Sequence, residues 1–297
     1  MRIAPLLCVA LIAAAASAAD LSPEDVQRIE RAIPAAAPAK PAAPRKLLVV
    51  TLHVRDGTPM KGHASIAHGN LALELMGKRT GAYEAVFSND IEMFRPERLK
   101  AFDAVCFNNT AGVLFDDPEL RESLLAFIRS GKGFIGIHAA AATFVQWPKY
   151  DQWPAFGEMI GATENGGHPW KPDETITLKL DEPNHPLNAA FKGQSFQIAD
   201  EVFQFQAPYS REKLRILVSI DTGKTDMDPK RRFLPERFKD RDFGMSWIRP
   251  YGPGRVFYSS LGHNPHIFWN EAILAHFLAG IQYALGDLKA DDAPSAR

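Results

Sequence analysis

The sequence predicts an α/β protein built on an open, mostly parallel sheet with helices on both faces and additional short mixed strands in the C-terminal half. Three observations carry this. From Lys46 onward, apolar runs of strand length alternate with stretches of helical spacing, the rhythm of βαβ units. The first run, Leu47 to Val54 (LLVVTLHV), is almost continuously apolar, as a parallel strand buried on both faces must be. Beyond Trp147 the strands shorten and Gly, Pro and Asn cluster between them, which suits one elaborated domain better than two.

Taken in order, Ser22-Pro23-Glu24-Asp25 has a capping serine, a proline at the first helical position and acids in the first turn, so a helix should run to about Ile33. Pro34 to Pro44 (PAAAPAKPAAP) is a stiff Pro/Ala spacer with too few large apolar groups to fold alone. Strand Leu47–Val54 is followed by a helix over Ile66–Met76, a strand over Tyr83–Phe87 and a short helix over Pro96–Ala101. A third strand over Asp103–Phe107, a helix over Asp117–Arg129 stopped near Gly131, and a fourth strand over Gly133–His138 complete the first half. In the second half Thr175–Leu180, Glu201–Phe205, Leu214–Ile220 and Arg255–Ser259 are expected as strands and Phe268–Leu285 as the closing helix. The charged stretch Lys224–Asp242 is expected as an exposed loop rather than an ionic device.

The ends divide the chain further. Arg2, the apolar run Ile3–Ala16 and the small residues Ala16-Ser17-Ala18 form the pattern of a signal peptide spanning 1–18 and cleaved after Ala18. The expected destination is the periplasm or the exterior. Residues 19–45 are then a short helix with linker, 46–286 the folded domain and 287–297 a polar tail. No later apolar run has the length of a bilayer span, so an integral membrane protein is not expected. With 34 Lys and Arg against 35 Asp and Glu, the basic excess of a nucleic-acid binder is missing. Cleavage removes Cys8 and leaves Cys106 alone, so no internal disulfide can form. Inside a strand, that thiol is expected to be inert core.

In an open parallel sheet, ligands bind outside the carboxyl ends of the strands. The polar residues that follow each strand are therefore the candidates. They are His53 and Gly62-His63-Ala64-Ser65 after the first, Asn108-Asn109-Thr110 after the third, His138 at the end of the fourth, and Gly262-His263-Asn264 after the last. His63, His138 and His263 are expected to share one pocket. Gly167-His168-Pro169-Trp170 adds an irregular loop able to fold over it, and Asp200-Glu201, before a predicted strand, can supply a carboxylate base or metal ligand. His68, His266 and His276 are expected as surface or satisfied core residues, His53 as part of the sheet, and Asn184-His185-Pro186 as turn chemistry. No zinc helix, serine elbow, phosphate loop or dinucleotide fingerprint is present. A metal would need ligands from distant segments.

These same segments give the chain its resemblance. The first strand with Gly62-His63-Ala64-Ser65-Ile66, Phe102-Asp103-Ala104-Val105, and Gly131 through Ala140 (GKGFIGIHAA) resemble the ThuA-like (trehalose-utilisation) family. So do Gly167-His168-Pro169, His185-Pro186, Asp200-Glu201 and Gly254 through His263 (GRVFYSSLGH). The matches run in order from about Leu47 to Gly286. The resemblance implies a flavodoxin-like sheet of the class I glutamine amidotransferase superfamily. His138 stands where those enzymes carry their cysteine, so no thiol-dependent acyl transfer is implied. One departure is that family members often carry Asp-His-Pro before the late tryptophan, whereas this chain has Asp242-Phe243-Gly244-Met245-Ser246-Trp247.

The function implied is sugar metabolism, in particular cleavage of small-molecule 3-keto-glycosides made by partner sugar oxidoreductases. A ketone at the third carbon acidifies the neighbouring C–H, so a base can expel the glycosidic oxygen by elimination, and water then adds to the enone. For that reaction His138 or Glu201 is the expected base. His63 and His263 would polarise the ketone directly or through a divalent metal held by His63, His138 and His263. Asn108, Asn109, Ser65, His168, Trp170 and Asn264 are the expected substrate contacts. Two alternatives stay open. One is a non-catalytic carbohydrate-binding module using Trp147, Trp153, Trp170 and Trp247 as stacking platforms. The other is a metal-dependent esterase or amidase.

Overall fold

The computed structural model describes residues 21–146, 153–164 and 167–295. The expected signal peptide and Trp147 lie outside the described residues. In chain order the elements are α1 (Pro23–Ala32), β1 (Lys46–Val50), β2 (Val54–Arg55), β3 (Thr58–Pro59), α2 (Ile66–Thr80), β4 (Glu84–Phe87), α3 (Pro96–Leu99), β5 (Ala104–Asn108), α4 (Pro118–Arg129) and β6 (Gly133–Ile137). There follow α5 (Pro154–Ile160), β7 (Thr175–Leu180), β8 (Phe196–Ala199), β9 (Arg215–Ile220), α6 (Pro235–Asp240), β10 (Gly244–Tyr251), β11 (Gly254–Ser259) and α7 (Glu271–Ala284).

One nine-stranded sheet runs in the order β4-β1-β5-β6-β11-β10-β9-β7-β8. The first five strands are mutually parallel, and the last four are joined by antiparallel ladders. Numbered in chain order, the five parallel strands lie 2-1-3-4-5, which is the flavodoxin-like arrangement. Side chains of α1, α2 and α7 (Ile29, Leu71, Leu274) pack on one face of the sheet. Those of α4 and α5 (Leu124, Phe156) pack on the other. A sheet covered on both faces explains why β1 and β5 contain almost nothing but apolar residues.

Local chemistry sets the boundaries. Ser22 caps α1 by accepting the Asp25 N–H, and Asp117 caps α4 by accepting that of Glu119. The closing helix is split. A 3-10 turn over Pro265–Trp269 precedes α7, because Asn270 caps the helix by accepting the Ile273 N–H. Glu201–Phe205 is not a ladder strand. β8 ends one residue earlier than Asp200, whose side chain is captured by a neighbouring loop, and only an isolated bridge, Phe205 to Glu164, follows. Lys224–Asp242 is not a bare exposed loop either. It contains α6, and Arg231 ties it to Glu174 at 2.9 Å just before β7.

The segments flanking the domain are packed rather than free. Ile29, Ala32 and Ile33 are buried in the main core. The Pro/Ala spacer is pinned through Ala39, which exchanges hydrogen bonds with the Gln282 side chain. Arg45 pairs with Asp287 at 2.6 Å, and the Ser295 N–H donates to the Leu214 carbonyl at 2.9 Å. Among the described residues, no helix is long and apolar enough to cross a membrane.

Candidate functional site

Four segments meet at the carboxyl edge of the parallel strands, and each is fixed by its own local chemistry. After β6 the backbone turns through His138, which has φ 47°, into a 3-10 turn. The Tyr258 hydroxyl donates to the His138 carbonyl at 2.8 Å. The ring's Nδ1 donates to the Ser260 carbonyl at 2.8 Å, which leaves Nε2 as the unprotonated nitrogen. Phe203 stacks on the ring with centroids 4.7 Å apart. After β11 the chain reaches Gly262 at φ 134°, where a Cβ would stand 2.8 Å from the Ile137 side chain; only glycine lets the loop pass this close to β6. Asp200, fully buried, accepts the N–H groups of Gly262, His263 and Asn264 and so holds the loop that carries His263. His63 stands in the loop before α2, where the Ser65 hydroxyl donates to the Gly262 carbonyl at 2.7 Å.

The result is a cluster of His63, His138, His263 and Glu201, each with a ligand atom within 4.8 Å of the others'. The Glu201 carboxylate is 3.0 Å from His263 Nδ1 and 3.8 Å from His138 Nε2. Those two nitrogens are 3.3 Å apart. The three rings form a nearly equilateral triangle, with centroids 5.1, 5.0 and 5.2 Å apart and interplanar angles of 88°, 79° and 77°. Imidazoles bound tetrahedrally to one zinc-sized ion would have centroids about 5 Å apart. The donor set therefore fits a divalent transition metal.

Electrostatics at His63, His138 and Glu201 favour the same reading. Burial, reinforced by the neighbouring imidazoles, lowers the pKa of His63 to about 4 and holds that of His138 well below the usual range. Both rings are neutral at pH 7 and offer lone pairs. Burial opposes ionisation of Glu201, but the hydrogen bond from His263 and the nearby histidines outweigh it and lower its pKa. For His263, burial is outweighed by Glu201, and the pKa is raised. Burial lifts Asp200 to about 7 against the pull of its three backbone donors.

The expected substrate contacts fare differently. His168 is exposed at the rim, with Nε2 3.7 Å from the Glu201 carboxylate. Trp170 is instead core, 1% exposed and donating Nε1–H to the Asp226 carbonyl, so it offers no face to a sugar. Ser65, Asn108, Asn109 and Asn264 are braces. Asn108 donates to Asn70 at 3.0 Å, Asn109 to the Gly262 carbonyl at 3.2 Å, and Asn264 to the Pro172 and Ala199 carbonyls. Strand ends leave backbone groups to satisfy, and these side chains serve that task, although the buried Oδ1 of Asn109 has no hydrogen-bond partner. His138 is fully buried with Nε2 aimed into the cluster, a geometry for ligation rather than for proton removal from a substrate carbon.

Of the proposed stacking platforms, Trp247 is buried with Nε1 on the Ile160 carbonyl, and Trp153 packs on Phe144 and Phe156. Cys106 is buried inside β5 and its pKa is raised by burial, the inert core thiol expected. His276 and His185 are braced through both ring nitrogens. His53 extends the sheet by a single parallel bridge to Ala111 and also stands half-buried beside His63, with centroids 6.0 Å apart; its place just past the end of β1 was the signal for it.

The profile of the ThuA family, described as trehalose utilisation, matches residues 51–284. Among solved structures, a ThuA-like protein from Bacteroides uniformis superposes with a TM-score of 0.63 at 18% identity, covering 82% of this chain and 93% of its own. One from Parabacteroides merdae gives 0.55 at 16%, covering 84% and 93%. At these identities the likeness is one of fold. No curated protein matches the chain.

Proposed function

Since the chain belongs to the ThuA (trehalose-utilisation) family and hence to sugar metabolism, we propose that it is an exported metal-dependent enzyme that cleaves 3-keto-glycosides by elimination and hydration. The observation that carries this is the triangle of three imidazoles closed by one carboxylate at the carboxyl edge of the sheet. A divalent cation supplies there a Lewis acid for the sugar's ketone oxygen, which is what acidifies the adjacent C–H. His63, His138, His263 and Glu201 hold it. Ser260 fixes the tautomer of His138, and Asp200 fixes the loop of His263; such outer partners orient ligands and sustain affinity. Phe203 covers one face of His138 and keeps water from it.

The residues expected to stack on sugars in a binding module are largely core, which favours turnover over binding alone. The supply of a 3-keto-sugar falls to a sugar oxidoreductase, and the signal-peptide pattern of residues 1–18 supports export to the periplasm or beyond. The test is incubation of the mature protein with methyl 3-keto-glucoside before and after chelation. Release of 3-keto-glucose that is lost on chelation and restored by one metal is expected. Binding without turnover, indifferent to chelation, would make the protein a carbohydrate-binding module. Chelator-sensitive hydrolysis of simple acyl substrates alone would make it an esterase.

A further inference from the structure

The elimination proposed above needs a group that moves a proton, and the four clustered side chains cannot be that group while their lone pairs hold a cation. A cavity of about 500 Å³ opens beside them. Its walls include Thr51, His53, Met60, Lys61, His63 and His68, so His63 belongs both to the cluster and to the cavity. Three described histidines have buried ring nitrogens with no hydrogen-bond partner, namely His53, His63 and His68, and all three line this one cavity. A buried nitrogen left without a partner is costly, because it has given up water for nothing. Three histidine rings with such nitrogens around one cavity mark a site that a ligand completes. Away from the cavity, His185 and His276 are braced through both nitrogens.

Of the three orphans, His63 is committed to the cluster and His68 stands 3.5 Å from Asp25 of α1. His53 has neither tie. Its backbone is held firmly, the Met60 N–H donating to its carbonyl at 2.8 Å and a parallel bridge joining it to Ala111. Its ring lies 6.0 Å from that of His63, tilted by 55°.

We infer that His53 is the catalytic residue that takes the proton from the carbon beside the ketone, with the sugar seated in this cavity and its ketone toward His63. The inference rests on the elimination reading. The C–H bond breaks to an imidazole nitrogen of His53, and its electron pair forms the double bond to the anomeric carbon. The glycosidic C–O bond breaks, and the departing oxygen takes a proton from a water molecule in the cavity and leaves as an alcohol. The hydroxide so formed bonds through oxygen to the anomeric carbon, and His53, its proton exchanged with solvent, delivers a proton to the neighbouring carbon. The sum is glycoside plus water giving keto-sugar plus alcohol, with no oxidant or reductant consumed.

The experiment compares wild type, His53→Gln and His168→Gln, each loaded with the metal that restores wild-type activity, on methyl 3-keto-glucoside. Four quantities are read: bound metal, affinity for 3-keto-glucose by calorimetry, methanol release, and deuterium uptake from D₂O beside the ketone by NMR. His53→Gln is expected to keep its metal and its sugar affinity while methanol release and deuterium uptake fall about 10²–10⁴-fold, the span of general-base contributions. His53→Asn provides the same reading if the glutamine variant does not fold. Deuterium uptake at the wild-type rate in the His53 variant, or its loss only in His168→Gln, overturns the assignment alone. Loss of metal from the His53 variant overturns it by making His53 a ligand. A wild type inert on the glycoside overturns the elimination reading and this assignment with it.

Discussion

At His138 the backbone enters the left-handed region, φ 47°, a conformation that a residue with a side chain keeps only where its surroundings over-determine it. The Tyr258 hydroxyl, the Ser260 carbonyl and the Phe203 ring supply that determination. Histidine recurs in a different role at His276, which is buried under α7's contacts. Its Nδ1–H donates to the Leu187 carbonyl, and Nε2 lies 2.8 Å from the Ser246 hydroxyl, which also donates to the Tyr258 carbonyl. Burial holds its pKa at about 4, below the value near 6.5 of an unfolded histidine. The unfolded chain binds the proton first. Stability from this residue is thus complete above pH 6.5 and is lost as pH falls toward 4, by on the order of 3 kcal/mol. Thermal melts across that window should fall less steeply in His276→Gln than in wild type; parallel slopes would show that the residue does not titrate as described. At this scale the sequence pointed to His63, His138 and His263 because each follows a parallel strand. It could not show that Ser65, Asn108 and Asn264 brace neighbouring segments, because a polar residue at a strand end has the same appearance whether it awaits a ligand or braces a backbone.

Among the elements, the parallel half was legible throughout, whereas in the antiparallel half β7 and β9 were legible and β8 and β10 were not. β1, β5 and β6 lie between neighbours and under helices, so burial wrote itself into their composition. β10 (GMSWIRPY) sits just as centrally, between β11 and β9, yet it contains glycine, serine, arginine and proline. It is held by a tight hairpin to β11 and a long-range ladder to β9, and tertiary pairing of that kind is not recorded in local propensity. The segment Glu201–Phe205 alternates like a strand, but three N–H donors on Asp200 draw the chain off the ladder. Helix α1 was legible as a helix, whereas its docking depended on a partner surface far along the chain. Ile29 is fully buried there, and replacing such a residue by alanine costs about 2–5 kcal/mol. Ile29→Ala should lower the melting temperature by roughly 5–15 °C. An unchanged melting temperature would make α1 a loose tether.

On the scale of the whole molecule, the parallel and antiparallel halves of the sheet divide the labour. The parallel half presents His63, His138 and His263 from loops after β1, β6 and β11, and the antiparallel half returns Glu201 from the end of β8. Neither half alone closes the cluster, which explains why no short sequence spacing announced it. The most direct test of this account is calorimetric titration of the metal-free protein with a divalent transition metal, in wild type and in Glu201→Gln. One equivalent bound by the wild type, with affinity more than about 100-fold weaker in the variant, is the predicted result, since even outer-shell partners are worth 10–100-fold. Equal affinity in both proteins, or no stoichiometric binding in the wild type, would contradict a single centre assembled from the two halves of the sheet.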